Sequence, residues 1–406
     1  MSTTLTHWIE LVPNVAQARL FARAAGTARF AYNWGLARWK ERYEARKADA
    51  SRPPPSGNGL RKLWNAVRRQ EFPWSYEVPA DASNDALTHL QAAFDAFFKK
   101  KAKYPKFKKK GERDAFSMDA RQLAWNGRHV TMPRMGTVRM VEGLRFTGKV
   151  LRTVTISREA DRWYLSAPVE MAEYSRSRTG DEIVGVDLGL TTLATLSTGE
   201  TIGNPRPLRK ALEKLARVQR DHARKVKGSA NRRKSAQRIA RIHRRVANTR
   251  KHVLHTLTSR LCRENQAVGI EGLRPANMVK NRSLSLSISD AAFGEFRRQM
   301  TYKAPLYGTR LLVADPFEPS TKRCSACGIV GPSIPLSERT FRCVPCGHVA
   351  GRDVNAAINL RTLVVRGTAA RESGDACGEG VRPSRVPATA VLVEAGSRAR
   401  SPHANA

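Results

Sequence analysis

Ile183-Val-Gly-Val-Asp-Leu188 and Ala267-Val-Gly-Ile-Glu-Gly-Leu273 are the stretches that decide the fold. Each is a short apolar run closed by an acid, Asp187 in the first and Glu271 in the second. Runs of this length read as buried strands. An acid directly behind such a strand lies at the carboxyl edge of a sheet, where sites form. Thr191 to Ser197 reads as a second strand with a turn at Gly199-Glu200, and Leu311-Leu-Val-Ala-Asp315 as a further strand. Between them, residues 206–260 read as a long helical pair broken near Gly228-Ser229. Strands mixed with long helices give an α/β core.

Upstream, residues 1–13 read as a strand and 14 to about 120 mainly as helix. Leu36, Trp39 and Tyr43 share one helical face, and Leu87, Leu90, Phe94, Phe97 and Phe98 another, with Asp81 and Ser83 as candidate caps. Ser51-Arg-Pro-Pro-Pro-Ser-Gly-Asn-Gly59 has the composition of a linker. From about 121 the period shifts toward two. Val130–Met132, Thr137–Val141 and a hairpin of 150–157 with 162–169 make a β-rich segment, a small barrel or sheet. Residues 172–181 read as a linker. Beyond about 365 the chain is rich in Gly, Ala, Arg and Ser and reads as a disordered tail.

Composition narrows the partners. The 406 residues carry 72 − 35 = +37 formal charges and are 41% hydrophobic. At roughly 150 residues per domain this is two or three domains with real cores. Such an excess of cations calls for a polyanion, and nucleic acid is the expected one. No apolar run approaches the ~18 residues of a spanning helix. The first ten residues, Met1-Ser-Thr-Thr-Leu-Thr-His-Trp-Ile-Glu10, lack the basic start and apolar stretch of a secretory signal, so an intracellular, cytoplasmic protein is expected.

Four of the six cysteines form two pairs, Cys324-Ser-Ala-Cys327 and Cys343-Val-Pro-Cys346, each followed by glycine. Two such knuckles complete a closed shell of four thiolates for one structural Zn²⁺. A redox pair would leave the other pair unexplained. Cys262 and Cys377 stand alone. Asp353 lies in Gly351-Arg-Asp-Val-Asn-Ala-Ala-Ile-Asn-Leu360, at the start of an Ala-rich helix. Any one of Asp187, Glu271 and Asp353 could be a cap or a solvated charge. Three in apolar settings, in a chain poor in acids, point to convergence on divalent cations. Oxygen donors suit Mg²⁺ or Mn²⁺. Two such ions ~3.5–4 Å apart would clamp the attacking water and the leaving oxygen of a phosphodiester.

Gly185-Val-Asp-Leu-Gly189, Val268-Gly-Ile-Glu-Gly-Leu273, Ser320-Thr-Lys-Arg-Cys-Ser-Ala-Cys-Gly328, Leu336-Ser-Glu-Arg-Thr-Phe-Arg-Cys343 and Arg352-Asp-Val-Asn-Ala-Ala-Ile-Asn359 resemble, in this order, the motifs of the TnpB family. Arg29-Phe-Ala-Tyr-Asn-Trp34, Ala93-Phe94 and Tyr104-Pro-Lys-Phe-Lys108 resemble its N-terminal region. The family consists of transposon-encoded, RNA-guided DNA endonucleases similar to type V CRISPR effectors. The resemblance implies a multidomain α+β chain with an RNase H-like (RuvC) nuclease core. It implies a β-rich wedge at 1–13 and 121–172 and a helical recognition region at 14–120. The nuclease would span 182–319 and 351–365, with the zinc ribbon at 320–350 and the tail at 366–406. Asp187, Glu271 and Asp353 match the catalytic acids that hold two Mg²⁺ or Mn²⁺, and Cys324, Cys327, Cys343 and Cys346 match the zinc ligands. Gly272 and Gly351 depart from the pattern, standing where the family often has acids. The partners implied are a guide RNA from the transposon end and double-stranded target DNA cut beside a short transposon-adjacent motif. A monomer on RNA, associated with a prokaryotic nucleoid, is expected. A guided repressor that has lost cleavage is one rival, and a conventional transposase another.

Two basic stretches would meet the nucleic acid. Residues 206–251 hold eighteen Lys/Arg against Glu213 and Asp221, with Arg217, Arg220 and Arg224 on one helical face. Lys99–Lys110 interleaves Tyr104 and Phe107 with lysines that include Lys106 and Lys108. Phosphate contact with base stacking is one reading of it; a surface loop packing one ring inward is the other. Trp34, Trp39, Trp64 and Trp74 are expected in the core.

Overall fold

The computed structural model describes residues 3–145, 148–172, 174–335, 337–372 and 392–395. The chain divides into two compact units after Glu173, and the described residues 392–395 belong again to the first.

The first unit opens with β1 (Thr3–Val12) and α1 (Val15–Ala48). Asn14 starts the helix with a reciprocal cap: its Oδ1 accepts from Gln17 N at 2.9 Å and its N–H reaches Gln17 Oε1 at 3.0 Å. α1 buries Phe21, Ala24, Ala28, Ala31, Gly35, Leu36 and Trp39 at three- and four-residue spacing. Tyr43, expected on the same face, is 45% exposed. α2 (Gly57–Glu71) begins inside the expected linker, because the Ser56 hydroxyl caps Gly59 N. The two glycines there read as breakers, whereas the serine before them decides the local structure. α3 (Asp81–Phe98) has Ala80 at its cap position with no side-chain cap bond, and Ser83 is buried within it. Asp81 instead accepts from Asp119 N at 3.0 Å, so neither expected cap holds.

The strands that follow are β2 (Ala115–Asp119), β3 (Ala124–Asn126), β4 (His129–Met132), β5 (Gly136–Met140), β6 (Lys149–Val150), β7 (Thr153–Glu159) and β8 (Arg162–Met171). They pair in the order β2-β7-β8-β1-β5-β4-β3, with β6 on β8. Helices and sheet share one core: Phe21 meets Trp163 and Phe116 with ring centroids 5.3 and 5.9 Å apart. Trp39 stacks on Phe94 at 4.0 Å, Trp64 is fully buried, and Trp34 packs against the same cluster. Trp74 is the exception to the expected core set, at 40% exposure.

The second unit is built on β9 (Glu182–Leu188), β10 (Thr192–Leu196), β11 (Thr201–Gly203), α4 (Pro207–Ala223), α5 (Ala230–Glu264) and β12 (Asn265–Ile270). Then come α6 (Pro275–Met278), α7 (Ser285–Ala291), α8 (Phe293–Tyr307), β13 (Arg310–Val313), β14 (Thr340–Arg342), β15 (Val349–Gly351) and α9 (Arg352–Glu372). The sheet order is β11-β10-β9-β12-β13. β9, β12 and β13 run parallel, and β10 and β11 form an antiparallel meander beside them. β14 and β15 pair as a small hairpin between β13 and α9. The helix carrying Asp353 continues to Glu372, past the expected start of the tail at 366. β16 (Leu392–Ala395) runs parallel to β1 from Leu5 to Trp8, in a stretch expected to be disordered. The rest of the tail lies outside the described residues. Among the described residues no helix is long and apolar enough to cross a membrane.

Two glycines seat α9. Gly185 of β9 and Gly269 of β12 are register partners. A Cβ on Gly185 would lie 1.9 Å from Ala357 O, and one on Gly269 2.6 Å from Leu360 O. Both obstacles are helix backbone, which cannot swing aside. Gly185→Ala should therefore lift α9 off the sheet and destabilise the second unit by on the order of 1–3 kcal/mol. Denaturant unfolding followed by a probe in each unit measures this, and the first unit should unfold as in the wild type.

Candidate active site and zinc centre

The paired glycines also set the acids. Each stands two residues before its acid, and Val186 pairs with Ile270, so Asp187 and Glu271 leave the ends of adjacent parallel strands together. Asp187 is 8% exposed and Glu271 is half-buried just beyond β12. Asp353 lies in the first turn of α9, where the helix N-terminus favours a negative charge. Its side chain is 37% exposed, with Arg339 Nη1 3.9 Å away.

The pair cannot hold two unshielded charges. Burial, then the charges of Glu271 and Asp353, push Asp187 well above the usual carboxylate range. Burial also raises Glu271, against hydrogen bonds from Ser320 and Asp187 that favour its ionised form. The protonated form of Asp187 is thereby favoured beside Glu271. A divalent cation is the natural replacement for that proton, and the all-oxygen donor set suits Mg²⁺ or Mn²⁺. Of the two departures from the family pattern, Gly272 is forced: a Cβ there would lie 2.3 Å from Ala314 O. At Gly351 the nearest atom to a Cβ is 3.7 Å away, so space does not require glycine.

The four cysteines meet as their spacing implies. Their sulfurs all lie within 4.8 Å of one another, with Cys324–Cys346 and Cys327–Cys343 each at 3.6 Å. That is far from a bonded S–S length of about 2.0 Å. It is close to the ~3.8 Å edge of a tetrahedron whose Zn–S bonds are about 2.3 Å. Gly328 N–H and Gly347 N–H close the two knuckles on Cys324 O and Cys343 O, both at 2.9 Å. Both glycines have positive φ, +78° and +71°. Burial works against ionising Cys324, yet backbone N–H groups of Cys327 and Ala326 and the neighbouring thiols bring it down to about 6. Cys343 is pushed up to about 12: the Cys346 N–H lowers it, but burial and the three surrounding thiols prevail. A dication lets all four ionise together, so the cluster could bind zinc.

The expected nucleic-acid residues divide. Arg217 and Arg220 are exposed on α4, and Arg224 is exposed as its C-cap; none ion-pairs with a described residue. Lys106 is exposed. Lys108 is tied down: its ammonium sits 3.8 Å from the Tyr32 ring centroid, and both its peptide groups bond the Asn33 amide. Tyr104 packs edge-on against Phe94 and Phe97 at 5.5 and 5.2 Å yet stays 42% exposed, so it is neither buried nor a free ring.

Several residues went unnoticed in the sequence. Buried Asp290 accepts from Leu208 N and Arg209 N, both at 3.0 Å, and from the Arg250 guanidinium, anchoring the base of the basic α4–α5 hairpin. Ser320 donates to Glu271 Oε1 at 3.0 Å. Asn355 and Asn359, both buried, bond the backbone of the first knuckle. Two asparagines four residues apart on the apolar face of an Ala-rich helix were the available signal.

Residues 166–282 match the family described as "Probable transposase", and 293–360 the family described as "Cas12f1-like, TNB domain". Residues 1–48 match one described as "Helix-turn-helix domain", although here they form a strand and one unbroken helix. A Streptomyces pristinaespiralis protein named "Putative RNA-guided DNA endonuclease" is 38% identical over 377 residues, 92% of this chain and 90% of its own. Escherichia coli K12 has a "Putative RNA-guided DNA endonuclease InsQ", 33% identical over 392 residues, 93% of this chain and 94% of that protein. A solved structure, "Cryo-EM structure of the Cas12f1-sgRNA-target DNA complex", shares the fold with TM-score 0.51 at 12% identity, covering 86% of this chain and 83% of that one. The chain belongs to the TnpB family of RNA-guided DNA endonucleases.

Two outcomes follow. The purified protein should contain one zinc per chain, and Cys343→Ser should lose it with local unfolding of residues 320–350, as read by elemental analysis and amide exchange. In chelator, folded Asp187 keeps its proton to higher pH than an unfolded chain does. Stability should then fall as pH rises from the ordinary carboxylate range through that raised value. Asp187→Asn removes the loss. At about pH 7 it should melt above wild type, by roughly 2–4 °C for each kcal/mol regained, and the gap should narrow near pH 4.

Proposed function

We propose that this chain is an RNA-guided endonuclease that hydrolyses DNA phosphodiesters at Asp187, Glu271 and Asp353. The observation that carries the reading is the placement of Asp187 and Glu271 directly after the register pair Val186–Ile270, both raised by burial, with the charges of Glu271 and Asp353 raising Asp187 further. Three parallel strands with an antiparallel meander at one edge are consistent with the RNase H-like core this requires.

Two Mg²⁺ or Mn²⁺ ions at these carboxylates would supply the Lewis acidity that activates water and neutralises the leaving oxygen. Asp187 must be ionised to act as a ligand, and the Ser320 hydroxyl favours the ionised form of Glu271 against the burial that raises it. Asp353 contributes from a helix N-terminus that holds its charge in place. The four cysteines hold one structural zinc, since a closed shell leaves no position for substrate.

Affinity comes from elsewhere. The chain carries +37, and Arg217, Arg220 and Arg224 stand exposed on and beside α4. Many dispersed phosphate contacts suit a protein that holds both a guide RNA, transcribed from the transposon end, and target DNA. In this mode base pairing reads the target, and the protein reads a short adjacent motif. A guided repressor without cleavage should have lost one of the acids, and all three are present.

Asp187→Ala should abolish cleavage while leaving guide RNA and target affinity within about twofold, because its carboxylate serves chemistry and the binding is spread over many cations. A gel-shift run beside a cleavage assay with Mg²⁺ reads both. Cleavage retained by the variant would remove Asp187 from the mechanism.

A further inference from the structure

Glu271 stands just past the end of β12, where the sheet no longer holds its backbone. The Ser320 hydroxyl donates to its carboxylate. Ser320 is 4% exposed, and its Oγ lies 3.0 Å from Glu271 Oε1.

Ser320 is itself held. Asn359 Nδ2 donates to Ser320 O at 2.7 Å and to Arg323 O at 2.6 Å. Asn355 uses both ends of its amide on the peptide groups flanking Cys324: Nδ2 to Arg323 O at 2.8 Å, and Oδ1 from Ser325 N at 2.9 Å. The two asparagines are four residues apart on α9, so they share a face. They are 0% and 3% exposed, and Asp353 stands two residues before the first. One chain of contacts therefore runs from the helix carrying Asp353, through the first zinc knuckle, to the carboxylate of Glu271. Fastening the ribbon to α9 needs only the backbone bonds of the asparagines. The hydroxyl aimed at Glu271 adds nothing to that fastening.

We infer that Ser320 is a positioning residue that orients Glu271 for divalent-cation binding, and that Asn355 and Asn359 fix Ser320 through the cysteine knuckle. The inference rests on the reading of Glu271 as a metal ligand given above. A partner of this kind typically changes metal affinity about 10- to 100-fold when removed.

The test uses the full chain and its guide RNA complex. Ser320→Ala should raise the Mg²⁺ concentration for half-maximal cleavage by about 10- to 100-fold. It should weaken Mn²⁺ binding to the full chain, measured by EPR with Asp187→Ala as the blank, by a similar factor. Zinc content, guide RNA affinity and target affinity should match wild type. Ser320→Thr, which keeps a hydroxyl, should restore most of the loss. Asn359→Ala should shift the metal requirement in the same direction. Its double variant with Ser320→Ala should be no worse than the sum of the two, and less than additive if they act as one chain. Wild-type metal dependence in Ser320→Ala overturns the inference, as does loss of zinc or RNA binding in that variant, which would make Ser320 a structural part of the ribbon. Glu271→Gln separates the two readings. If it still cleaves, the acid site itself is misassigned; if it is inactive while Ser320→Ala behaves as wild type, only this inference fails.

Discussion

The close approach of α9 to the sheet at Gly185 and Gly269 is the constraint on which the second unit depends. Helix backbone lies where any side chain on these two residues would go. Because the two are register partners, the helix crosses both central parallel strands at one level. Its first turn then brings Asp353 into the field of the acids that end those strands. The four-cysteine segment sits between β13 and α9 in the chain, so the same seat fixes its exit. Backbone-to-backbone packing of this kind is intolerant of drift, which is what a site built from three separate elements needs.

Electrostatics divides the molecule by function. Cations are spread over an exposed hairpin whose base is fastened by one buried carboxylate, Asp290. The acids are few, and at the sheet edge burial and the neighbouring charges push Asp187 well above the usual carboxylate range. The cysteines express the same tension in softer donors, with one thiol held low and another pushed high. Donor type separates the two clusters: thiols suit zinc, and carboxylates suit a hard divalent ion. Burying Asp187 beside a second acid costs stability, as groups kept for function commonly do.

Much of the second unit could be read from local pattern. The strand around Asp187, the helical pair interrupted at Gly228, and both cysteine knuckles have signals a few residues long, and they stand where those signals put them. The first unit was less legible. Ser56 capping α2 was masked by the prolines and glycines around it, and Asp81 serves Asp119 on a strand rather than its own helix. Lys108 reads as a free cation but lies over Tyr32, a residue far away in the chain. α9 runs past the expected start of the tail at 366, because composition says little about a helix supported from one side by a sheet.

The sequence by itself determined which residues could do chemistry: thiolates at knuckle spacing, acids closing apolar strands, and cations too numerous for a free protein. These are local properties, written in side-chain type and short-range spacing. Only the tertiary structure decided how they act together. It made partners of Gly185 and Gly269, buried Asp187 beside Glu271, and aimed the Ser320 hydroxyl at Glu271. It also separated the exposed Arg217 from the tethered Lys108. The physical reason is that burial, register and hydrogen-bond direction depend on residues far apart in the chain, and no window of sequence contains both ends of such an interaction.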